Sequence, residues 1–332
     1  MTLPVRTRSR SRARSRTRLR RTLGVSLAGV SALSLLSGCA EDSDSAGAAD
    51  GSVSLGFVNG ANTHFHTCLQ KAVEQTAKAK DAKVYTANSK QDAGTELSNI
   101  EDMISRNVDA LIVQTVNVDA LDGDIAKAKA AGIPIYLTSV ATDKASDILG
   151  AAVVDLTRVG QMDADWIAKD AGSRDVKVGV VAGAPGAASD LLVGGFTKQL
   201  PANAKVVANQ PGMFNPAKAQ DVAENMIQAH PDLDYAFVAN EEMAFAVRKA
   251  FDAAGAKKVK ITSVNGSEDG IAAVKDGRLQ ATVSNSALTI GQTAVEQTVD
   301  LLGDKKVDKI SKVPLTLITK DDVDQAPRYC PK

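Results

Sequence analysis

The chain has 332 residues, and its 39 lysines and arginines are matched by 39 aspartates and glutamates. Nine of the basic residues are arginines that stand between Met1 and Arg21, where there is no acidic residue; the chain beyond Arg21 holds 30 basic against 39 acidic residues, a formal −9. A remainder of that sign has no electrostatic reason to seek nucleic acid, and no later apolar stretch is long enough to cross a membrane.

Residues 1–38 read as an export signal. The arginine head is followed by an apolar run from Leu23 to Leu36 and by small residues before Cys39, the order of charge, core and cleavage site that directs secretion. The run is too short to span a bilayer comfortably. The ending Leu36-Ser37-Gly38-Cys39 looks like a bacterial lipobox, which implies cleavage before Cys39, acylation of its thiol and an anchor on the outer face of the cell membrane; a plain signal peptide with a chance cysteine is the alternative. Arg20-Arg21 before Thr22-Leu23 fits twin-arginine export, and the choice between that route and the general one stays open. Residues 39–51, small and acidic with no apolar spacing, read as a flexible tether. About 280 residues remain beyond it, enough for one large or two ordinary domains.

From Ser52 onward short apolar runs alternate with amphipathic stretches. SVSLGFV, AKVYTA, DALIVQT and IPIYLTS are each too short for a helix and rich in β-branched residues, so they read as buried strands. Between them Phe65, Leu69, Val73 and Ala77 fall four apart, as do Ile100 and Ile104, which is helical spacing. The pattern restarts near Val154 and Asp155: DVKVGVVAG, AKVVANQ, DYAFVAN, KVKITSVNG and LQATVSN alternate with helical segments such as NPAKAQDVAENMIQAHP and EEMAFAVRKAFDAAG. A last helix, TIGQTAVEQTVDLLG, and a last strand, KVPLTLITK, complete the chain. Such alternation implies an α/β fold of two doubly wound parallel-sheet lobes.

In open parallel sheets ligands sit beyond the carboxyl ends of the strands. The residues at those ends are Asn59, Gln114, Ser139, Asn240, Asn265 and Asn285. All are uncharged hydrogen-bonding side chains. Each alone is also an ordinary turn or cap residue, but four asparagines and a glutamine at comparable places in both halves point to a cleft that reads a neutral polar molecule.

At AHPDLDYAFVANEEMAFAVRKAFDAAG and VNGSEDGIAAVKDGRLQATVSNSALTIGQ the chain resembles the sugar-binding proteins of bacterial ABC importers, the ribose-binding type of the type I periplasmic binding fold. The resemblance runs from Ser52 to about Asp321. It implies two lobes joined by a three-crossing hinge, with crossings near Val154, Asn285 and Pro314. The lobes would be 52–153 with 286–314 and 154–285 with 315–332. It also implies a monomer that closes on its ligand and hands it to a membrane permease, with no cofactor. Laid against the family pattern, Asn59, Thr63, Phe65, His66, Gln114 and Ser139 would come from the first lobe, and Phe214, Asn240, Asn265 and Asn285 from the second. Phe65 and Phe214 would cover the faces of a sugar ring, while the amides would bond its hydroxyls. Departures stand beside the matches. Ser139-Val140 occupies the place of a common Asp-Arg pair, Leu192 or its neighbour that of an arginine, Asn265 that of an aspartate, and Glu241 follows Asn240 where relatives commonly have aspartate. The charged clamp on sugar hydroxyls is therefore expected to be missing.

Other chemistries find less support. His64 and His66 form an H-x-H in NGANTHFHTC, but no second dense cluster completes the three or four ligands of a metal site, so no metal is expected. His66 reads as a cleft wall and His64 as an exposed residue. Nucleophilic catalysis needs a serine or cysteine with a base and an orienting acid, and no G-x-S-x-G elbow is present; no enzyme is expected. AGAPGAASD lacks the Lys-Ser/Thr ending of a phosphate loop and reads as a cleft loop. Trp166 lies on an apolar helical face and reads as core. Cys68 and Cys330 are expected to form a disulfide in an oxidising compartment, the alternative being two separate thiols with Cys68 packed beside Leu69 and Ala72. A sensor subunit read by a membrane receptor would share every one of these features with an importer component.

Overall fold

A computed structural model describes residues 52–332 of the chain. The export signal, the tether and Cys39 lie outside the described residues. The elements run β1 (Ser54–Asn59), α1 (His64–Ala79), β2 (Lys83–Asn88), α2 (Ala93–Ser105), β3 (Ala110–Gln114), α3 (Asp122–Ala130), β4 (Ile135–Ser139), β5 (Gly150–Val153) and α4 (Leu156–Ala171). They continue with β6 (Val176–Ala182), α5 (Ala187–Gln199), β7 (Ala204–Pro211), α6 (Pro216–Ala229), β8 (Tyr235–Val238), α7 (Glu241–Ala253), β9 (Lys260–Asn265), α8 (Glu268–Asp276), β10 (Ala281–Ser284), α9 (Ala287–Leu302), β11 (Ile310–Lys312) and β12 (Thr316–Thr319).

Two six-stranded sheets result, in the orders β11-β5-β4-β3-β1-β2 and β12-β10-β9-β8-β6-β7. The central strands β3 and β8 are buried at every residue, as strands covered by helices on both faces must be. Each buried aliphatic side chain in them contributes about 1.5–3 kcal/mol over exposure. The helices bury one stripe only: Cys68, Leu69, Ala72, Val73, Thr76 and Ala77 in α1, against which α9 packs. The chain passes from the first sheet to the second after β5, returns after β10 through α9, and crosses a third time between β11 and β12. The cross-over segments therefore lie along one edge of both sheets, and the carboxyl ends of the remaining strands open toward the space between the lobes.

One strand, β5, was not among the expected runs, and one expected strand divides. Gly150–Val153 is short and made of small residues, yet it pairs in parallel with β4 and β11. The expected strand KVPLTLITK overlaps β11 at Lys312, in the first sheet, and holds β12, in the second, because Pro314 between them has no N–H for a ladder. β12 runs antiparallel to β10, unlike every other pairing.

Cys68 in α1 and Cys330 form a disulfide, with Cα atoms 4.9 Å apart. The tail it holds touches several elements. Ser286 Oγ donates to the Arg328 carbonyl at 2.6 Å and the Leu288 N–H to that of Tyr329 at 2.8 Å, both at the start of α9. The Cys330 N–H reaches Glu268 Oε1 in α8 at 3.3 Å, and Gln75 Nε2 in α1 reaches the Lys332 carbonyl at 3.1 Å. Tyr329 is buried and its ring lies 5.7 Å from that of His64. Among the described residues no helix is long and apolar enough to cross a membrane.

Candidate ligand-binding site

Between the two sheets lies a cavity of ≈ 460 Å³, within the roughly 300–1,000 Å³ of small-molecule sites. Nine of the ten expected residues line it: Thr63, Phe65, His66, Gln114 and Ser139 from one lobe, and Phe214, Asn240, Asn265 and Asn285 from the other. Asn59 does not reach the cavity. It is buried behind the first loop, where its Nδ2 donates to the His66 carbonyl at 2.9 Å, so it positions a wall residue. His64 also differs from expectation: it is half-buried, with Nε2 3.3 Å from Cys68 Sγ, and packs on the tail. His64, Cys68 and Cys330 do bring three potential ligand atoms together, but both sulfurs are joined to each other and offer no thiolate. Trp166 is on α4, its ring edge-on to Tyr235, and does not line the cavity.

No aspartate, glutamate, lysine or arginine is among the lining residues. Val140 and Leu192 take part in the wall, and Glu241 turns away from it. His66 is the remaining titratable group there; Thr63 Oγ1 sits 2.8 Å from its Nδ1, and burial lowers its pKa to about 4, so the ring is neutral near pH 7.

The amides are held in place by their neighbours. Gln114 Oε1 accepts from Thr138 Oγ1 at 2.7 Å and Ser139 Oγ at 2.9 Å, which leaves its NH2 end to donate. Asn240 Oδ1 accepts from the Met243 N–H at 2.9 Å and caps α7, and the same residue lines the cavity. Asn285 Oδ1 is buried without a hydrogen-bond partner, an arrangement that is expensive unless something else satisfies it.

Two buried glutamates fix the cleft loops, one in each lobe. Glu96 in α2 accepts from Thr115 Oγ1 and from the Val116 N–H, each at 2.7 Å. Glu241, the first residue of α7, accepts from the N–H groups of Gly266 and Ser267, from Thr282 Oγ1 and from Ser267 Oγ. Burial raises both, Glu241 to about 7. A Cβ on Gly270 would lie 2.0 Å from the Glu241 carboxylate, so that position has no room for a side chain. Charged residues at helix starts look like solvated caps in a sequence, and nothing in the spacing marks these two as buried.

The wall residues are also conformationally unusual. Among the described residues nine non-glycines have positive φ, and five of them, Gln91, Ser139, Met213, Phe214 and Asn265, line the cavity. Such backbones persist where surroundings enforce them and concentrate at functional sites. Phe214 lies flat over Gly183, where a Cβ would come within 2.1 Å of its ring. Lining residues without a sequence signal include Gln91, Asn117 and Met213, in loops after β2, β3 and β7, and Ala93, the first residue of α2.

The family model of the periplasmic binding protein domain matches residues 55–306. The chain belongs to the periplasmic binding protein family. It is 31% identical to the ribose import binding protein of Bacillus subtilis over 79% of this chain and 86% of that one. It is 28% identical to a xylitol-binding protein of Mycolicibacterium smegmatis over 79% and 76% of the two chains. An ABC transporter solute-binding protein of Mycobacterium smegmatis with bound glycerol superposes with a TM-score of 0.79 at 20% identity, over 85% of this chain and all of that one. The family assignment agrees with two parallel-sheet lobes around a ligand cleft.

Proposed function

We propose that the protein captures a small neutral polar molecule of the sugar or polyol class and delivers it unchanged to an ABC permease. The observation that carries this reading is the uncharged lining of the cleft, with hydrogen-bonding amides from both lobes and two phenylalanines. A bound ion would lose its water on closure and find no partner charge, which is very costly; a hydroxyl needs only a donor and an acceptor, and an amide supplies both. Thr63, His66, Gln114, Ser139, Asn240, Asn265 and Asn285 bond the ligand, Phe65 and Phe214 cover its faces, and Asn59 positions the first loop. The moving bodies are 52–153 with 286–314 and 154–285 with 315–332, and the disulfide ties Cys330 to α1 of the first body. The protein acts as a monomer, tethered outside the cell by a lipid on Cys39. The names of the relatives, a ribose and a xylitol binder, support the ligand class.

Calorimetry and thermal shift with neutral sugars and polyols, against uronates and sugar phosphates, test the reading. Tight binding of an anion in place of every neutral compound would refute it, as would recovery of chemically altered ligand. Cys39→Ala should release the protein from cells into the medium; retention on the membrane would remove the lipid anchor from the proposal.

A further inference from the structure

The second lobe's wall of the cavity is polar at one end and apolar at the other, and the loop after β1 with the first turn of α1 in the first lobe adds Thr63, Phe65 and His66. Strand order fixes the polar end near the hinge: β4, β9 and β10, which lie toward the cross-over edge of their sheets, bring Ser139, Asn265 and Asn285, with Gln114 and Asn240 one strand further in. The opposite end of the second sheet, at β6 and β7, brings Ala184, Pro185, Ala187, Ala188, Leu192 and Met213. Val116 and Val118 of the first lobe line the cavity too, and the two loops meet: a Cβ built on Gly186 would lie 3.8 Å from Asn117 Oδ1. Asn117 Oδ1 already accepts the Asp119 N–H at 3.1 Å, and Gln91, the other amide of this region, is exposed.

A hydroxyl against the side chains of those alanines, valines and Leu192 would find no side-chain partner, whereas a methyl, alkyl or aryl group would gain from contact with them; Leu192 is buried, and Pro185, Ala188 and Met213 form the exposed rim of this end. We propose that the ligand is a glycoside: a neutral polyhydroxylated ring held at the hinge end by the amides, carrying one apolar substituent that lies between the β6–α5 loop and the loop at Val116–Val118. The inference rests on the neutral-sugar reading above and specifies it.

Matched pairs test it. D-Ribose, D-xylose and D-galactose are each titrated against their methyl and phenyl glycosides of both anomers, with D-galacturonate and ribose 5-phosphate as charged controls. Each methylene removed from water strengthens binding about fourfold, so a methyl glycoside of the right ring should bind about fourfold tighter than its parent, and the phenyl glycoside more than tenfold. Ala188→Asp puts a charge at the apolar end; in the first turn of α5 an acidic residue suits the helix, and the variant should fold. It should lower affinity for the phenyl glycoside more than for the parent sugar, so that the preference shrinks. Parents that bind as tightly as their glycosides, or glycosides that are excluded, would overturn this inference and leave the neutral-sugar reading standing. Binding of the charged controls alone, or of no compound by folded protein, would overturn both.

Discussion

The backbone N–H of His64 donates to the carboxylate of Glu242 at 3.1 Å, from the first residue of α1 to the second residue of α7 in the other lobe. The first turn of any helix has N–H groups without intrahelical partners, and Thr63, the N-cap of α1, makes no side-chain cap bond. The second lobe therefore caps a helix of the first. A carboxylate at that end also meets the positive pole of the helix. This contact exists only while the lobes are together, so it belongs to the free energy of closure.

Glu242→Gln keeps an acceptor and removes the charge; Glu242→Ala removes both. The pair is part-exposed, so a contribution of about 0.5–1.5 kcal/mol is expected. Stopped-flow displacement should show ligand release accelerated by up to about tenfold in Glu242→Ala and less in Glu242→Gln. Unchanged release rates in both would show that the contact does not hold the closed form.

Glu241 acts within one lobe. It gathers Gly266, Ser267 and Thr282 beneath Asn265, whose φ of 135° is held by that loop. Glu241→Gln preserves shape but turns an NH2 group toward at least one of those donors. Leaving buried donors unpaired costs about 1–3 kcal/mol, visible in urea denaturation, and affinity should fall with it because Asn265 loses its support. A variant as stable as the parent would mean the loop finds other partners.

The same residue and His66 give opposite pH signatures. Burial raises Glu241 from 4.5 to about 7, so the folded protein holds this proton more tightly than the unfolded chain; the stabilisation is complete below pH 4.5 and disappears as pH rises through 7. Asp163 nearby is raised as well, by burial first and then by Glu241, so it shares this sign. His66 is lowered from 6.5 to about 4 by burial; stability is complete above pH 6.5 and is lost as pH falls toward 4. Stability measured from pH 4 to 8 for the parent, Glu241→Gln and His66→Gln separates the two. Relative to the parent, Glu241→Gln should improve from pH 4.5 to 7, and His66→Gln should improve from pH 6.5 down to 4. Parallel curves would assign the titrations elsewhere.

The Cys68–Cys330 disulfide closes a loop spanning 262 residues. Loop entropy alone suggests up to about 5.6 kcal/mol, with residual structure in the unfolded chain lowering it. The double Cys68→Ser, Cys330→Ser variant should lose several kcal/mol in denaturant titrations and free the tail from α1, read as faster amide exchange at Leu288, whose N–H donates to Tyr329. Full protection at Leu288 in that variant would show that the buried Tyr329 ring holds the tail without the covalent bond.

What could be read beforehand came from periodicity. Fully buried strands such as ALIVQ and YAFV cannot be hidden in a sequence, and the amides at strand ends are marked by the strands they end. The failures have physical causes. β5 is glycine and alanine with one valine, which lacks the bulk that signals a strand, and the direction of β12 depends on a crossing that the run TLIT does not encode. Asn59 ends a strand like the others but faces a loop that folds over it. Glu96 and Glu241 look like surface residues because burial of a carboxylate depends on donors supplied 19 to 41 positions away.

Asn285 and Asn240 differ in what their oxygens do, and this separates binding from folding. Asn240 Oδ1 caps α7 at 2.9 Å, whereas Asn285 Oδ1 is buried without a partner. Asn240→Ala should therefore lose about 1 kcal/mol of stability from the cap as well as affinity. Asn285→Ala removes an unsatisfied atom, so the empty protein should be as stable as the parent or more so, while binding weakens by about 1–3 kcal/mol, the cost of a ligand hydroxyl left unpaired. Asn265→Ala should weaken binding over the same range. Thermal unfolding without ligand and calorimetry with it measure the two effects on each variant. If Asn285→Ala destabilises the empty protein and leaves affinity unchanged, its oxygen is satisfied within the fold and the ligand lies elsewhere, toward His66 and the β6–α5 loop.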